Sequence, residues 1–259
     1  MQDLKADLIA SLFPVDAFVH VRERRAPAHK YLWRRFQRFG AGKVLDETAW
    51  RLAYRLTESQ QDAEDERQIV AEMRPAIRTG YQRPPVHPVD SITSPEGEEL
   101  LRQLKPDVCI IMLNVMLPKR IFNIPPLGML IFHPGLVPEY RGVHCGLWAV
   151  ANGDIGRVGW SLLRIDQGVD TGPVLAQGVA RSIDPARENY SIMQHRAQLE
   201  GIPEIAGVMQ RLAAGDEPRV ITGERAAGHY THPGIADYLR YRRMLRRHRR
   251  QPAVVTNQA

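Results

Sequence analysis

Two residues in this sequence are suited to moving a proton near neutral pH. His133 closes the short apolar run MLIF (129–132) and is followed by Pro134-Gly135. Asp170 lies inside the loop Asp166-Gln167-Gly168-Val169-Asp170-Thr171-Gly172, between two apolar runs. Imidazole titrates close to physiological pH, and a carboxylate beside it orients the ring and favours its protonated form. If the two loops converge, a His and an Asp share one cleft. Each residue taken singly has a structural reading. A histidine beside Pro-Gly is often a satisfied loop residue, and an aspartate before Thr-Gly often closes an Asx-turn. His144 and Arg141 lie in the stretch that follows His133. The first reads equally as a substrate contact or as a helix start. The second reads as an anion contact or as a solvated loop residue. Cys145 is not read as a nucleophile.

The elements that must position these residues alternate between helical and extended patterns. Leu4, Leu8 and Leu12 predict an opening helix. VDAFVHV (15–21) reads as a strand. Residues 28–75 predict two or three helices, with a turn near Gly40–Gly42. Ser94-Pro95-Glu96 is a helix start that runs to about Lys105. DVCIIML (107–113) reads as a strand buried on both faces, and MLIF as a second strand. A helix over 142–151 stops at Asn152-Gly153. VGWSLLRI (158–165) and PVLAQGVA (173–180) are extended, and a helix spans about 187–214. This alternation predicts an α/β domain on an open, mainly parallel sheet. A histidine at the exit of a strand then sits where such sheets bind ligands.

HPGLVPEYRG, ANGD and GVDTGPVLAQ occur in that order, after PDVCIIMLNVMLPKRIF. Together they resemble the folate-dependent formyltransferase family, which includes glycinamide ribonucleotide, methionyl-tRNA and sugar N-formyltransferases. The resemblance covers 90–215 in order and 15–75 loosely. It implies a Rossmann-like domain over 1–215 and N-formylation of an amine by N10-formyltetrahydrofolate, with a nucleotide-linked amino sugar as the foremost acceptor class. It further implies His133 and Asp170 as the catalytic pair. Met112, Leu113, Asn114, Val115, Met116, Asp166, Gln167 and Val169 would line the folate site, and Arg141, Gly142 and His144 the acceptor site. The joint occurrence of the motifs favours the catalytic reading of His133 and Asp170 over the structural one.

The sequence departs from the family pattern in three places. Ile131 stands where the family carries Asn, two residues before the histidine, and an aliphatic side chain donates no hydrogen bond. The enzyme would then be impaired, use another acyl-type donor, or borrow a donor, for which Asn114 is the candidate. The family's first strand has no counterpart, because the chain opens on a helix; two sheet edges would be left unpaired, unless other segments rebuild the sheet. A misplaced start or a truncated domain would account for the same opening. Residues 216–259 form only a short C-terminal extension, in place of the sizeable tRNA-binding domain of methionyl-tRNA formyltransferases. Two further readings stand beside the enzyme: a non-catalytic folate- or ligand-binding relative, motivated by Ile131 and the missing first strand, and a tRNA-acting enzyme, motivated only by the Arg-rich tail.

Composition narrows the setting. The 259 residues are 44% hydrophobic and 25% charged, ordinary for a globular chain. No apolar run approaches the roughly 18 residues of a membrane span, and the N-terminus lacks a secretory pattern. Two cysteines suit a reducing cytoplasm. No metal site is suggested, since His20, His29, His87 and His133 are far apart. The net charge of +6 is carried by the tail: residues 240–250 hold seven arginines and no acid, and without them the chain sums to −1. The 233–250 stretch predicts a basic helix. It reads as an anion-contacting element, for RNA among others, or as a solvated helix packed through Tyr238, Leu239 and Leu245.

Overall fold

A computed structural model describes residues 1–22, 28–113, 115–220, 222 and 225–250. Its elements run α1 (Gln2–Leu12), β1 (Phe18–Val21), α2 (Ala28–Thr57), α3 (Ser59–Met73), β2 (Val86–Val89), α4 (Pro95–Leu104), β3 (Cys109–Ile111) and α5 (Lys119–Phe122). They continue with β4 (Met129–His133), β5 (Arg141–Gly142), α6 (Cys145–Ala151), β6 (Gly159–Arg164), β7 (Val174–Val179), α7 (Tyr190–Ala213), β8 (His229–Tyr230) and α8 (Ile235–Arg250).

The main sheet has the order β3-β4-β6-β7. β3 and β4 are parallel, while β4-β6 and β6-β7 are antiparallel. β1 and β2 form a separate parallel pair, and so do β5 and β8. Parallel pairings are thus the majority, as expected for an α/β domain. Val19 and Val21 of β1 pack into the same apolar cluster as Cys109 and Leu113, although β1 and β3 share no ladder. The two sheets are therefore neighbours without a hydrogen-bonded join.

Local chemistry explains the boundaries. Ser94 Oγ accepts from the Gly97 amide at 3.2 Å and Pro95 follows it, so α4 starts where the sequence places it. Lys105 ends the helix in the left-handed region, φ 47°. α2 bends at Gly40, whose φ of 80° and ψ of 166° are not helical. β4 alternates its faces. Leu130 and Phe132 enter the main core with α6 and α7, whereas Ile131 packs with Val137, Leu163 and Val174 on the other side.

Several expectations need correction. The strand read over 107–113 is only Cys109–Ile111, and it pairs with β4 alone, so Cys109 and Ile110 are half-buried instead of covered on both faces. The helix read from Gly142 begins at Cys145, because Arg141 and Gly142 pair with His229 and Tyr230 of β8, a strand with no sequence signal. The basic helix α8 is present, but Leu239 is 54% exposed; Tyr238, Tyr241 and Leu245 make up its buried face in the main core.

Candidate active site

β4 carries His133 to the edge of the core, and the Pro-Gly loop beyond it folds back over the strand end. Ser161 lies opposite His133 on β6. Its hydroxyl donates to the Gly135 carbonyl at 2.8 Å and accepts from the Val137 amide at 3.1 Å. These bonds fix the turn that leaves the histidine. Gly135 is needed there, since a Cβ would lie 2.4 Å from the Tyr140 carbonyl oxygen.

The second loop brings Asp170 to the ring. The Asp166 carboxylate closes its own loop, accepting from the Gly168 amide at 2.9 Å and from Thr171 Oγ1 at 2.6 Å. Asp170 takes the left-handed conformation, φ 51°. Its Oδ2 lies 3.5 Å from His133 Nδ1 and accepts from the Gly142 amide at 2.8 Å. Both side chains are buried. Loops 37 positions apart in sequence thus converge on one His–Asp pair, as the sequence suggested.

The other edge of the imidazole is also engaged. Nε2 donates to the Tyr140 carbonyl at 2.9 Å, and the Cys145 thiol donates to the same oxygen at 3.3 Å. Burial and the nearby Asp170 push the Cys145 thiol up, far from a thiolate. Tyr140 is anchored in turn, because its hydroxyl donates to Asp154 Oδ2 at 3.0 Å and its ring stacks on Tyr230. The Asp of ANGD is therefore a bracket for the PEYRG loop.

The remaining expected residues divide. Gly142 serves Asp170 through its amide, and at φ 97° it admits no side chain: a Cβ would lie 2.1 Å from the Tyr230 carbonyl oxygen. Arg141 Nε reaches the Gly228 carbonyl at 3.4 Å. His144, read equally as a substrate contact or as a helix start, is the residue at the start of α6. Its Nδ1 meets the Tyr190 hydroxyl at 3.0 Å, its Nε2 meets His232 Nδ1 at 3.1 Å, and Trp50 packs edge-on against it. It therefore offers no free ring nitrogen to a substrate, and it makes no cap bond at the start of α6. Burial, then His232 and Arg51, lower its pKa to about 3, so the ring is neutral. Met112 and Leu113 are half-buried, Val115 and Met116 exposed, Val169 half-buried and Gln167 exposed. Asn114 lies outside the described residues. Ile165, just before the 166–171 loop, belongs to the same apolar cluster as Leu113 and Leu117.

Sequence reasoning missed the supports behind the site. Lys5 of α1 is buried and holds Gln198 Oε1 at 2.5 Å and His195 Nδ1 at 3.0 Å. Gln198 Nε2 donates to the carbonyl of Phe132, the residue before His133. Lys5 and Gln198 are 193 positions apart, and no local pattern links them.

The sequence profile of the Formyl transferase family matches residues 51–205, a span that holds the whole His133–Asp170 arrangement. The chain belongs to this family. Methionyl-tRNA formyltransferase of Syntrophus aciditrophicus is 32% identical over 154 residues, 59% of this chain and 48% of that protein. Its counterpart in Myxococcus xanthus is 39% identical over 119 residues, 46% of this chain and 37% of that protein. This formyl transferase chain spans about half the length, or less, of these curated relatives. Among solved structures, a sugar N-formyltransferase from Shewanella aligns with a TM-score of 0.49 at 16% identity, over 63% of this chain and 67% of that one. Phosphoribosylglycinamide formyltransferase from Streptococcus pneumoniae aligns with a TM-score of 0.48 at 18% identity, over 81% and 92%. Among the described residues, no helix is long and apolar enough to cross a membrane.

Proposed function

We propose that this chain transfers a formyl group from N10-formyltetrahydrofolate to a primary amine. The observation that carries the reading is the His133–Asp170 pair at the carboxyl end of β4, inside the matched residues. Attack of the amine on the formyl carbon forms a C–N bond and a tetrahedral oxyanion. Collapse breaks the bond to N10, and the proton lost by the amine ends on that nitrogen. His133 would hold or move this proton, and Asp170 would fix the ring's orientation. Presenting the ring to substrate requires releasing Nε2 from the Tyr140 carbonyl, in the same segment whose Gly142 amide binds Asp170. The exposed Val115 and Met116, beyond β3, supply an apolar wall for a flat fused ring. Because Asp166 is spent on its own loop, Gln167 at the loop tip is left to read the ring's polar edge. Ile131 contributes no donor to the oxyanion.

The test is release of tetrahydrofolate from N10-formyltetrahydrofolate, with a panel of amines that includes nucleotide-linked amino sugars. Amine-dependent release that falls about 10²–10⁴-fold in His133→Ala supports the reading. Folate binding without turnover, for folded protein, would instead leave a ligand-binding relative.

A second reading places the amine on tRNA. Arg243, Arg246, Arg247 and Arg250 are exposed on α8, and Arg243 and Arg246 have no ion pair among the described residues. The curated relatives named above are methionyl-tRNA formyltransferases. Binding through several phosphates would weaken steeply with salt, whereas a small amine would not.

A further inference from the structure

The arm of α2 beyond the Gly40 bend has a buried inward face and an apolar face turned outward. The inward face is Glu47, Trp50 and Tyr54; Trp50 packs in the main core and Glu47 accepts from Arg35 Nη2 at 2.6 Å. The outward face is Leu45, Ala49, Leu52 and Leu56, spaced 4, 3 and 4. These leucines are 69%, 57% and 75% exposed, and nothing among the described residues covers them. A helix that faces water ordinarily carries polar residues there, and 4-3-4 spacing is the seam by which two helices pack.

We propose that this seam pairs with the same seam of a second copy of the chain, antiparallel about a twofold axis. Antiparallel pairing sets Leu45 opposite Leu56 of the second copy and small Ala49 opposite its Leu52, so a large residue fills the space beside each small one. Parallel in-register pairing would set Ala49 against Ala49 and leave a void. The rows beside the seam are Asp46 and Ala53 on one side, Thr48 and Arg55 on the other. The antiparallel arrangement brings Asp46 beside Ala53 and Thr48 beside Arg55, so no like charges meet. The area is of the right order. The exposed parts of the three leucines, about two whole leucine surfaces, give roughly 350 Å². At the usual apolar share of an interface, this corresponds to about 600 Å² per partner, the lower end of the range for a stable complex.

Sedimentation equilibrium of the whole chain is the test, with Leu52→Glu as the variant. Leu52 is exposed within one copy, so the variant should keep the wild-type circular dichroism and melt cooperatively, at a Tm lowered only by loss of the association. The expected result is a mass of twice 29.4 kDa for the wild type and 29.4 kDa for the variant. Ala49→Cys and Leu52→Cys chains, mixed and oxidised, should cross-link to each other in preference to themselves. A wild-type monomer at the highest soluble concentration would overturn the proposal. So would an assembly that Leu52→Glu leaves intact, or cross-linking of each variant mainly to itself.

Discussion

Lowering the pH should unfold this protein through His144, and the size of the effect follows from its surroundings. Burial, His232 and Arg51 hold the ring's pKa at about 3, against 6.5 in the unfolded chain. Below pH 6.5 the unfolded chain therefore binds a proton that the folded chain refuses, and stability falls as pH falls. The stability is fully present above pH 6.5 and is lost progressively down to about pH 3. Between pH 7.5 and pH 5 the loss from this one residue is about 2 kcal/mol, and the whole window is worth about 5 kcal/mol. The assay is equilibrium denaturant unfolding at the two pH values, for wild type and for His144→Gln. Glutamine does not titrate, yet it can keep a hydrogen bond to Tyr190 or His232. Groups remote from residue 144 act in both proteins and cancel in the comparison: His195, held at about 3 chiefly by burial, pulls the same way, and Asp62, raised to about 6 by burial, pulls the opposite way. The wild type should lose about 2 kcal/mol more than the variant. Equal losses would mean that His144 is solvated or charged in the folded state, and the buried aromatic cluster around it would have to be redrawn.

Lys5 should act on the alkaline side. Burial lowers its pKa to about 7, so between pH 7 and 8.5 only the unfolded chain stays protonated and stability should rise by about 1.5 kcal/mol; Lys5→Met should lack this rise in the same unfolding assay. Gly142→Ala should cost roughly 3 kcal/mol, since it combines a left-handed backbone with a collision against the Tyr230 carbonyl. A calorimetric scan should show a fall of about 6–12 °C in Tm. Ile131→Asn should lose about 1–2 kcal/mol from the Val137–Leu163–Val174 cluster while raising formyl transfer about 10²-fold. An unchanged rate would place the oxyanion away from residue 131.

Local signals in the sequence carried the helices, and the resemblance of the ordered motifs to a known family singled out His133 and Asp170. Ser94-Pro95 fixed the start of α4, Gly40 the bend in α2, and the spacing of Leu4 and Leu8 the buried face of α1. HPG and GVDTG are legible because a turn chemistry and a titratable group occupy the same few residues. His144 shows the limit of such reading. Its neighbours in sequence leave a substrate contact and a helix start equally open, whereas its environment is set by Trp50, Tyr190 and His232, which local patterns do not connect. The short β5–β8 pair escaped for the same reason, because two-residue strands have no period.

The sequence by itself determined which residues can do chemistry and where chain direction must change, since turn propensities, caps and titratable groups are properties of a few neighbouring residues. Tertiary structure decided which of those groups are available. It joined Asp170 to His133, buried the ring against the Tyr140 carbonyl, spent Asp166 and Gly142 on the loops, and placed Lys5 behind the strand that carries the histidine. Burial and hydrogen-bond partnership depend on chain segments far apart in sequence, and these two quantities set what a side chain can do.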